Sequence, residues 1–461
     1  MLTKAKRKTT DVDMTDGSIV KHLIFFAFPL LIGNLFQMMY NMVDTWVIGR
    51  FGSVAAFSAV GTLGSVTNLM IGFFMGLTSG AGVVVSRFFG AKQYDRVKSA
   101  VNTALIMTGV LCLVFTVLGL IMIPLFMQML DMPDDVIPEA VTYLSIWFSG
   151  ISGLMIYNMG SALMRAVGDS RRPFYYLVVA AVTNTVLDLF FVIVLDWGVA
   201  GVAIATVIAQ GLSAALVVIS LCRTESCIKI SIKGMRFEAD LLREIVGIGL
   251  PAALQMAITS FSNIFVQSYI NHFGRECMGG WTAYTKIDQI VILPMQSLAL
   301  ASTTFVGQNI GQNQIKRAER GANTALFMSL ISTVLLILPV MIFSEFFVGI
   351  FNTNPDIIEY GALFLRWLTP FYLFWCVNQI YAGALRGVGN STAPMIIMLF
   401  SFVAFRQSYL FIVSRYISNT ILPIAMGFPA GWAISAIITI IYYKVVGLKP
   451  KIRKVNLIKQ E

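Results

Sequence analysis

The residues of this 461-residue chain that invite a chemical reading are acids set inside long apolar stretches. A carboxylate in a lipid-surrounded helix is costly, so an intramembrane acid is a functional candidate by default. Asp44 belongs to a polar stripe of Asn34, Gln37, Asn41 and Asp44, spaced by three, four and three, which puts all four on one helix face. Asn184 and Asp188 stand at i and i+4, again on one face, and Thr206 follows one apolar block later. Asp44, Asn184, Asp188 and Thr206 together offer carboxylate, amide and hydroxyl oxygens, the hard ligands that a small cation such as Na+ takes. The same groups can instead share protons. Two nearby carboxylates in a poorly solvated pocket repel each other, and such a pair can load and release a proton near neutral pH. The competing structural reading is that Asp188 caps a neighbouring helix and Asp44 pairs with a buried amide. Pro29, in the same apolar block as Asp44, lacks a backbone donor and should bend that helix or permit a bend to form.

The second half of the chain is unlike the first in this respect. Positions equivalent to Asp44 and Asp188 fall near Val266 and Tyr409, with no carboxylate. An uncharged stripe of Gln255, Thr259 and Asn263 stands there instead, with Asn378 and Gln379 further on, as candidates for lining a cavity. Lys286 and Asp288 join that group, but two residues apart on a helix they do not face each other. Each must snorkel or find a partner on another helix. Arg406 reads as an interior counter-ion or as a residue near an interface. Met and Phe, with 24 and 34 copies, make adaptable apolar surfaces without singling out a pocket.

The elements that must position these groups follow from composition. The chain is 57% hydrophobic and only 12% charged, against about 25% charged in a soluble domain. Its apolar residues fall in blocks of about 20, the length a helix needs to cross a bilayer core. Twelve blocks emerge, six in each half: 20–48, 54–85, 99–125, 138–160, 174–195, 199–221, then 244–270, 280–306, 321–343, 358–383, 393–413 and 421–443. Lys and Arg divide 27 to 3 between the alternating sides, so both termini are expected in the cytoplasm and the protein in the inner or plasma membrane. That placement also accounts for the net charge of +10 without invoking nucleic acid. The five cysteines have neither zinc-site spacing nor a disulfide framework. The first helix is too long for a signal peptide and is expected to be retained.

The halves repeat at an offset of about 221 residues. Gly90, Gln93, Arg96 and Asn102-Thr103-Ala104-Leu105 match Gly311, Gln314, Arg317 and Asn323-Thr324-Ala325-Leu326. Arg165, Val167, Gly168, Ser170 and Pro173 match Arg386, Val388, Gly389, Ser391 and Pro394. Six spans per repeat is an even number, so both halves enter the membrane in one orientation, a parallel repeat. The expected fold is an all-α membrane protein of twelve transmembrane helices in two six-helix lobes. Its segments are a cytoplasmic N-terminal stretch (1–19), a first lobe (20–221), a linker (222–243), a second lobe (244–443) and a basic tail (444–461) near anionic headgroups.

Segments 29–52 (PLLIGNLFQMMYNMVDTWVIGRFG), 85–91 (VSRFFGA), 306–311 (VGQNIG), 166–173 (AVGDSRRP) and 387–394 (GVGNSTAP) resemble the multidrug and toxic compound extrusion (MATE) family over nearly the whole chain. The resemblance implies a two-lobed fold that alternates between outward- and inward-facing states and exchanges a proton or sodium ion for an organic, often cationic, compound. The sequence is more similar to the DinF-like bacterial and archaeal branch. That likeness implies a first-lobe cation site on Asp44, Asn184 and Asp188, with Thr206 as the sixth-helix hydroxyl and Tyr143 beside it. It also implies bending of the first helix at Pro29. NorM-like members carry acids on helices seven and ten, where this chain has Gln255, Asn378 and Gln379. The expected activity is secondary active multidrug efflux by a monomer, with small organic molecules and the lipid bilayer as partners and no cofactor beyond the coupling ion. The alternative is a flippase for a lipid-linked precursor, which needs a more cationic cavity than Lys286, Arg366 and Arg406 provide. An enzyme is not expected, since neither a HExxH nor a GxxxxGK[ST] motif is present.

Overall fold

In lipid every backbone N–H and C=O must be satisfied within the protein, which leaves helices as the element for apolar blocks of this length. The computed structural model describes residues 11–130, 132–230, 235–418 and 420–449; segment 1–10 and the basic tail beyond 449 lie outside the described residues. The first half holds α1 (Ile19–Phe51), α2 (Val54–Gly90), α3 (Tyr94–Met129), α4 (Ile137–Ala166), α5 (Arg171–Leu189) and α6 (Gly198–Arg223). The second opens with α7 (Ala239–Asn271), α8 (Arg275–Gly311), α9 (Ile315–Ile342) and a short α10 (Ser344–Gly349) that the sequence reading lacked. It continues with α11 (Pro355–Leu368), α12 (Tyr372–Gly387), α13 (Thr392–Met398), α14 (Arg406–Ile412), α15 (Ile421–Ala425) and α16 (Gly427–Val446).

Among the described residues, eleven helices are long and apolar enough to cross a membrane. The tenth span is the twelfth crossing. It is divided into α11 and α12 by a single 3-10 turn at Thr369–Phe371, where Pro370 removes a backbone donor and breaks the regular ladder. The span read as 393–413 runs from Thr392 to Ile417 through two wider π-helical turns, Leu399–Phe405 and Val413–Ile417, on either side of α14. The architecture is therefore all-α with twelve spans.

The chain forms two compact units. Among the described residues, the first comprises 11–13 together with 28–249, and the second comprises 14–27 together with 250–449. Within the first, α4 packs on α2, α3 and α6; within the second, α8 packs on α9, α11 and α12, and α12 on α16. The internal repeat is visible in the backbone itself. Lys92 and Asn313, 221 residues apart, hold φ of 59° and 61°, and Gly168 and Gly389 both hold 86°. The corner after α4 closes by Asp169 N–H donating to Met164 O at 3.1 Å, and its counterpart by Asn390 N–H donating to Leu385 O at 2.9 Å. A left-handed glycine after a helix allows this closure without a Cβ clash.

The helix that carries Thr206 is set against α4 by a seam of small residues. A Cβ added at Gly150 would lie 2.3 Å from Val207 Cγ1, at Gly160 2.1 Å from Val217 Cγ1, and at Gly153 2.9 Å from the backbone N of Gly211. Helices without a hydrophobic drive between them associate through such close contact. Gly211 differs, because a Cβ there meets nothing within 4 Å. Gly153→Ala should therefore force the backbones apart and cost about 1–3 kcal/mol, lowering the thermal unfolding midpoint of the purified protein. Gly211→Ala on the same seam should leave the midpoint level or raise it. A Gly153→Ala protein as stable as wild type would contradict this account of the seam.

Candidate functional site

Asn184 and Asp188 lie on the last turns of α5 and are fully buried, at 1% and 0% exposure. Directly after them the helix widens into a π-helical turn, Phe190–Val194, a local irregularity often found beside functional groups. Thr206 on α6 is also buried, and Asp44 on α1 is half-buried. An apolar wall of Val47, Ile48, Val192, Val199 and Val202, with Val43, Tyr143 and Leu189 against it, encloses this end of the first unit.

The four expected groups come together. The Asn184 amide donates to Thr206 Oγ1 at 3.5 Å, and that hydroxyl donates to Val202 O at 2.9 Å. The carboxyls of Asp44 and Asp188 lie within hydrogen-bonding reach of each other. Asp44 Oδ1, Asn184 Oδ1 and both Asp188 carboxyl oxygens are buried and meet no hydrogen-bond donor among the described residues. Asp188 therefore does not cap a neighbouring helix, and Asp44 meets a carboxyl where the structural reading wanted an amide. The site is a set of converging acceptors with no cationic side chain among the groups acting on either acid. Two ionised carboxylates in this position repel. A shared proton relieves that repulsion, and so does a small hard cation held by the oxygens of Asp44, Asn184, Asp188 and Thr206.

Two phenols complete the surroundings. Tyr143, expected from the resemblance, stands close enough to both acids to feel their charge, and so does Tyr40, which sequence reasoning missed. Its signal was available, because Tyr40 precedes Asp44 by four residues and shares its helix face. Tyr40 also lies within hydrogen-bonding reach of half-buried Gln37. Asn41, by contrast, is exposed, and its carbonyl accepts from Thr45 at 2.9 Å. α1 runs as one helix through half-buried Pro29.

The polar groups of the second unit do not converge. Gln255 donates to Met398 Sδ at 2.9 Å and accepts from Arg386 at 3.2 Å, while Thr259 donates to Gln255 O at 2.9 Å. Asn263 accepts from Arg406 at 3.0 Å, and Ser262 accepts from the same guanidinium. Arg406 is 1% exposed between the rings of Phe402 and Phe428, so it is an interior group and not an interfacial one. Its partners are neutral, so it is not a counter-ion to an acid among the described residues. Asp288 accepts from Tyr372, whose hydroxyl meets that of Tyr284 at 3.0 Å; Lys286 is exposed and takes no part. Asn378 accepts from Thr439 at 3.3 Å, and Gln379 is half-buried on α12. These are four separate clusters, sharing no residue.

Removing the Thr206 oxygen tests the first-unit site directly. One hydrogen bond is worth about 0.5–1.5 kcal/mol, so Thr206→Val should weaken cation affinity roughly threefold to tenfold. Sodium and pH titrations of intrinsic tryptophan fluorescence would measure this, and an unchanged affinity for both ions would remove Thr206 from the site.

Comparison with known proteins agrees with this architecture. The MatE family model matches twice in tandem, at residues 29–190 and 251–407. The probable multidrug resistance protein YpnP of Bacillus subtilis is 29% identical over 94% of this chain and 96% of its own. A FAD transporter of Shewanella oneidensis is 24% identical over 84% of this chain and 86% of its own. Among solved structures, an outward-facing multidrug resistance MATE family transporter of the MOP superfamily superposes with a TM-score of 0.90, covering 96% of this chain and all of that one at 21% identity. With a matched copy of the family model in each half, and the second starting at Pro251 as the first starts at Pro29, this chain belongs to the MatE family of multi-pass membrane transporters.

Proposed function

We propose that this protein is a secondary active exporter of small organic compounds, a multidrug efflux transporter driven by inward movement of protons or sodium ions through the Asp44–Asp188 site. The observation that carries the reading is the cluster of buried, partnerless acceptor oxygens on Asp44, Asn184 and Asp188. An acceptor set of this kind costs free energy when empty and ionised, and gains it when a positive charge arrives. Loading removes the repulsion between α1 and α5, and unloading restores it, so the ion acts directly on the helix that contains Pro29. Each ion moving inward contributes about 2.3 kcal/mol per 100 mV of membrane potential, before any concentration gradient. The names of the relatives, multidrug resistance proteins among them, support export of drug-like molecules, and the FAD transporter among them argues for including an anionic compound in any substrate screen.

The 27-to-3 division of basic residues supports a plasma-membrane location with both termini cytoplasmic. A monomer that moves its substrate unchanged, with no cofactor besides the ion, suffices for this cycle. Flipping of a lipid-linked precursor is less well supported, because the basic residues inside spans do not gather. Lys286 is exposed, Arg366 pairs with Glu345 at 2.7 Å, and Arg406 is sealed between two rings.

The decisive assay is efflux of a fluorescent cationic dye, with FAD in parallel, from proteoliposomes under separately imposed proton and sodium gradients. Wild type should transport under one gradient, and Asp44→Asn and Asp188→Asn should each abolish the gradient-driven part. Full coupling in both variants would overturn the assignment of the ion site. Absence of transport of either compound under both gradients would overturn the export reading.

A further inference from the structure

The start of α9 presents a site that ion coupling leaves unused. Ile19, Ile315, Lys316, Arg317 and Arg320 line a cavity of about 560 Å³ in the second unit, with no carboxylate in its wall. Lys316 and Arg320 are exposed. Arg317 donates through Nη2 to the carbonyls of Met14 at 3.2 Å and Gly17 at 2.9 Å, while its Nε is buried with no partner among the described residues. Glu319, the acid between Arg317 and Arg320 in sequence, is turned toward Tyr443 and Gly447, and Asp16 Oδ1 accepts from Gly17 N–H at 2.7 Å. Three cationic side chains therefore face one cavity whose wall holds no carboxylate, with Arg317 stacked over the Phe305 ring at 5.5 Å and met by neutral carbonyls.

The internal repeat provides a control for this arrangement. At the 221-residue offset, Lys316, Arg317 and Arg320 correspond to Asp95, Arg96 and Ser99. In the first unit Arg96 is neutralised by Glu238 at 2.9 Å, and Asp95 stands beside Lys98 at 3.9 Å. Both corners have the same left-handed turn, at Lys92 and at Asn313. Since the turn forms with either set of charges, the excess of positive charge in the second unit is not a requirement of the fold.

We propose that this cavity binds the phosphodiester headgroup of an anionic phospholipid. The phosphate chemistry follows from the three cations, and the lipid source from position and lining. The cluster lies on the first two turns of α9, a helix long and apolar enough to cross a membrane, and Ile19 and Ile315 supply apolar wall that suits a glycerol and upper acyl region but gains nothing from a free phosphate. Each basic side chain at such a surface strengthens attraction to anionic lipid several-fold, so losing two should lower affinity on the order of tenfold or more. The ligand would also hold Arg317 in the rotamer that grips Met14 and Gly17, and so anchor the entry of α1.

The test uses the full-length protein in detergent, titrated with phosphatidylglycerol, phosphatidylcholine or inorganic phosphate. Lipid adducts are read by native mass spectrometry and protection of 14–22 by hydrogen exchange. Wild type should bind phosphatidylglycerol in preference to phosphatidylcholine and protect that segment. Lys316→Gln combined with Arg320→Gln should lose tenfold or more in affinity, whereas Lys98→Gln with Arg243→Gln, two cations removed from the first unit, should not. Equal affinity in the two double variants would overturn the proposal. So would saturation by inorganic phosphate with the same protection, which would make this a site for a free anion.

Discussion

Placing Asp44 beside Asp188 in a membrane-embedded unit, with no basic side chain to pair with either, is the constraint on which the rest of this molecule turns. Burying an unpaired charge is among the most expensive things a protein does. The surrounding structure therefore has to hold the two acids together against their repulsion. The small-residue seam between α4 and α6 fixes Thr206, the α5 helix fixes Asn184 and Asp188, and valine-rich packing walls this end of the unit. α1, which brings Asp44 to this site, carries Pro29 within its length.

The two units show how one backbone plan carries different chemistry. Their matching corners, left-handed at Lys92 and Asn313 and at Gly168 and Gly389, are dictated by sterics and recur because the chain has to turn in the same way twice. Charge is free of that requirement. The first unit concentrates its intramembrane acids into one cluster. The second disperses its polar groups among separate partners and fills its interior with aromatic rings, among them Trp281, Tyr284, Phe364, Tyr372, Phe428 and Trp432. Asp288 is kept there by a phenol and Arg406 by two rings and neutral oxygens, so neither needs an opposite charge to remain in place.

Much of this was legible in the sequence because lipid enforces a simple code. Block length marked the spans and identical residues at one offset marked the repeat, since each reflects a local or additive property. Asp44, Asn184 and Asp188 stood out because acids inside apolar blocks are rare for an energetic reason. The 3-10 break at Thr369–Phe371 was less legible than the proline that causes it, because Pro29 and Pro251 stand inside helices that continue unbroken. The π-helical turns left no compositional trace, as they depend on which neighbour donates to the freed carbonyl: Ser262 from α7 donates to Phe402 O.

The sequence by itself determined the number of spans, their duplication and the identity of the acids, because periodicity and the cost of charge in lipid are written residue by residue. Only the tertiary structure decided which acids meet. It brought Asp44 from α1 against Asp188 from α5, gave Asp288 to Tyr372 rather than to Lys286, and enclosed Arg406 between Phe402 and Phe428. The physical reason is that a pairing between helices is fixed by their rotation and close approach. Those are set by small-residue seams and by helix irregularities that sum over many distant contacts, and no local pattern encodes them.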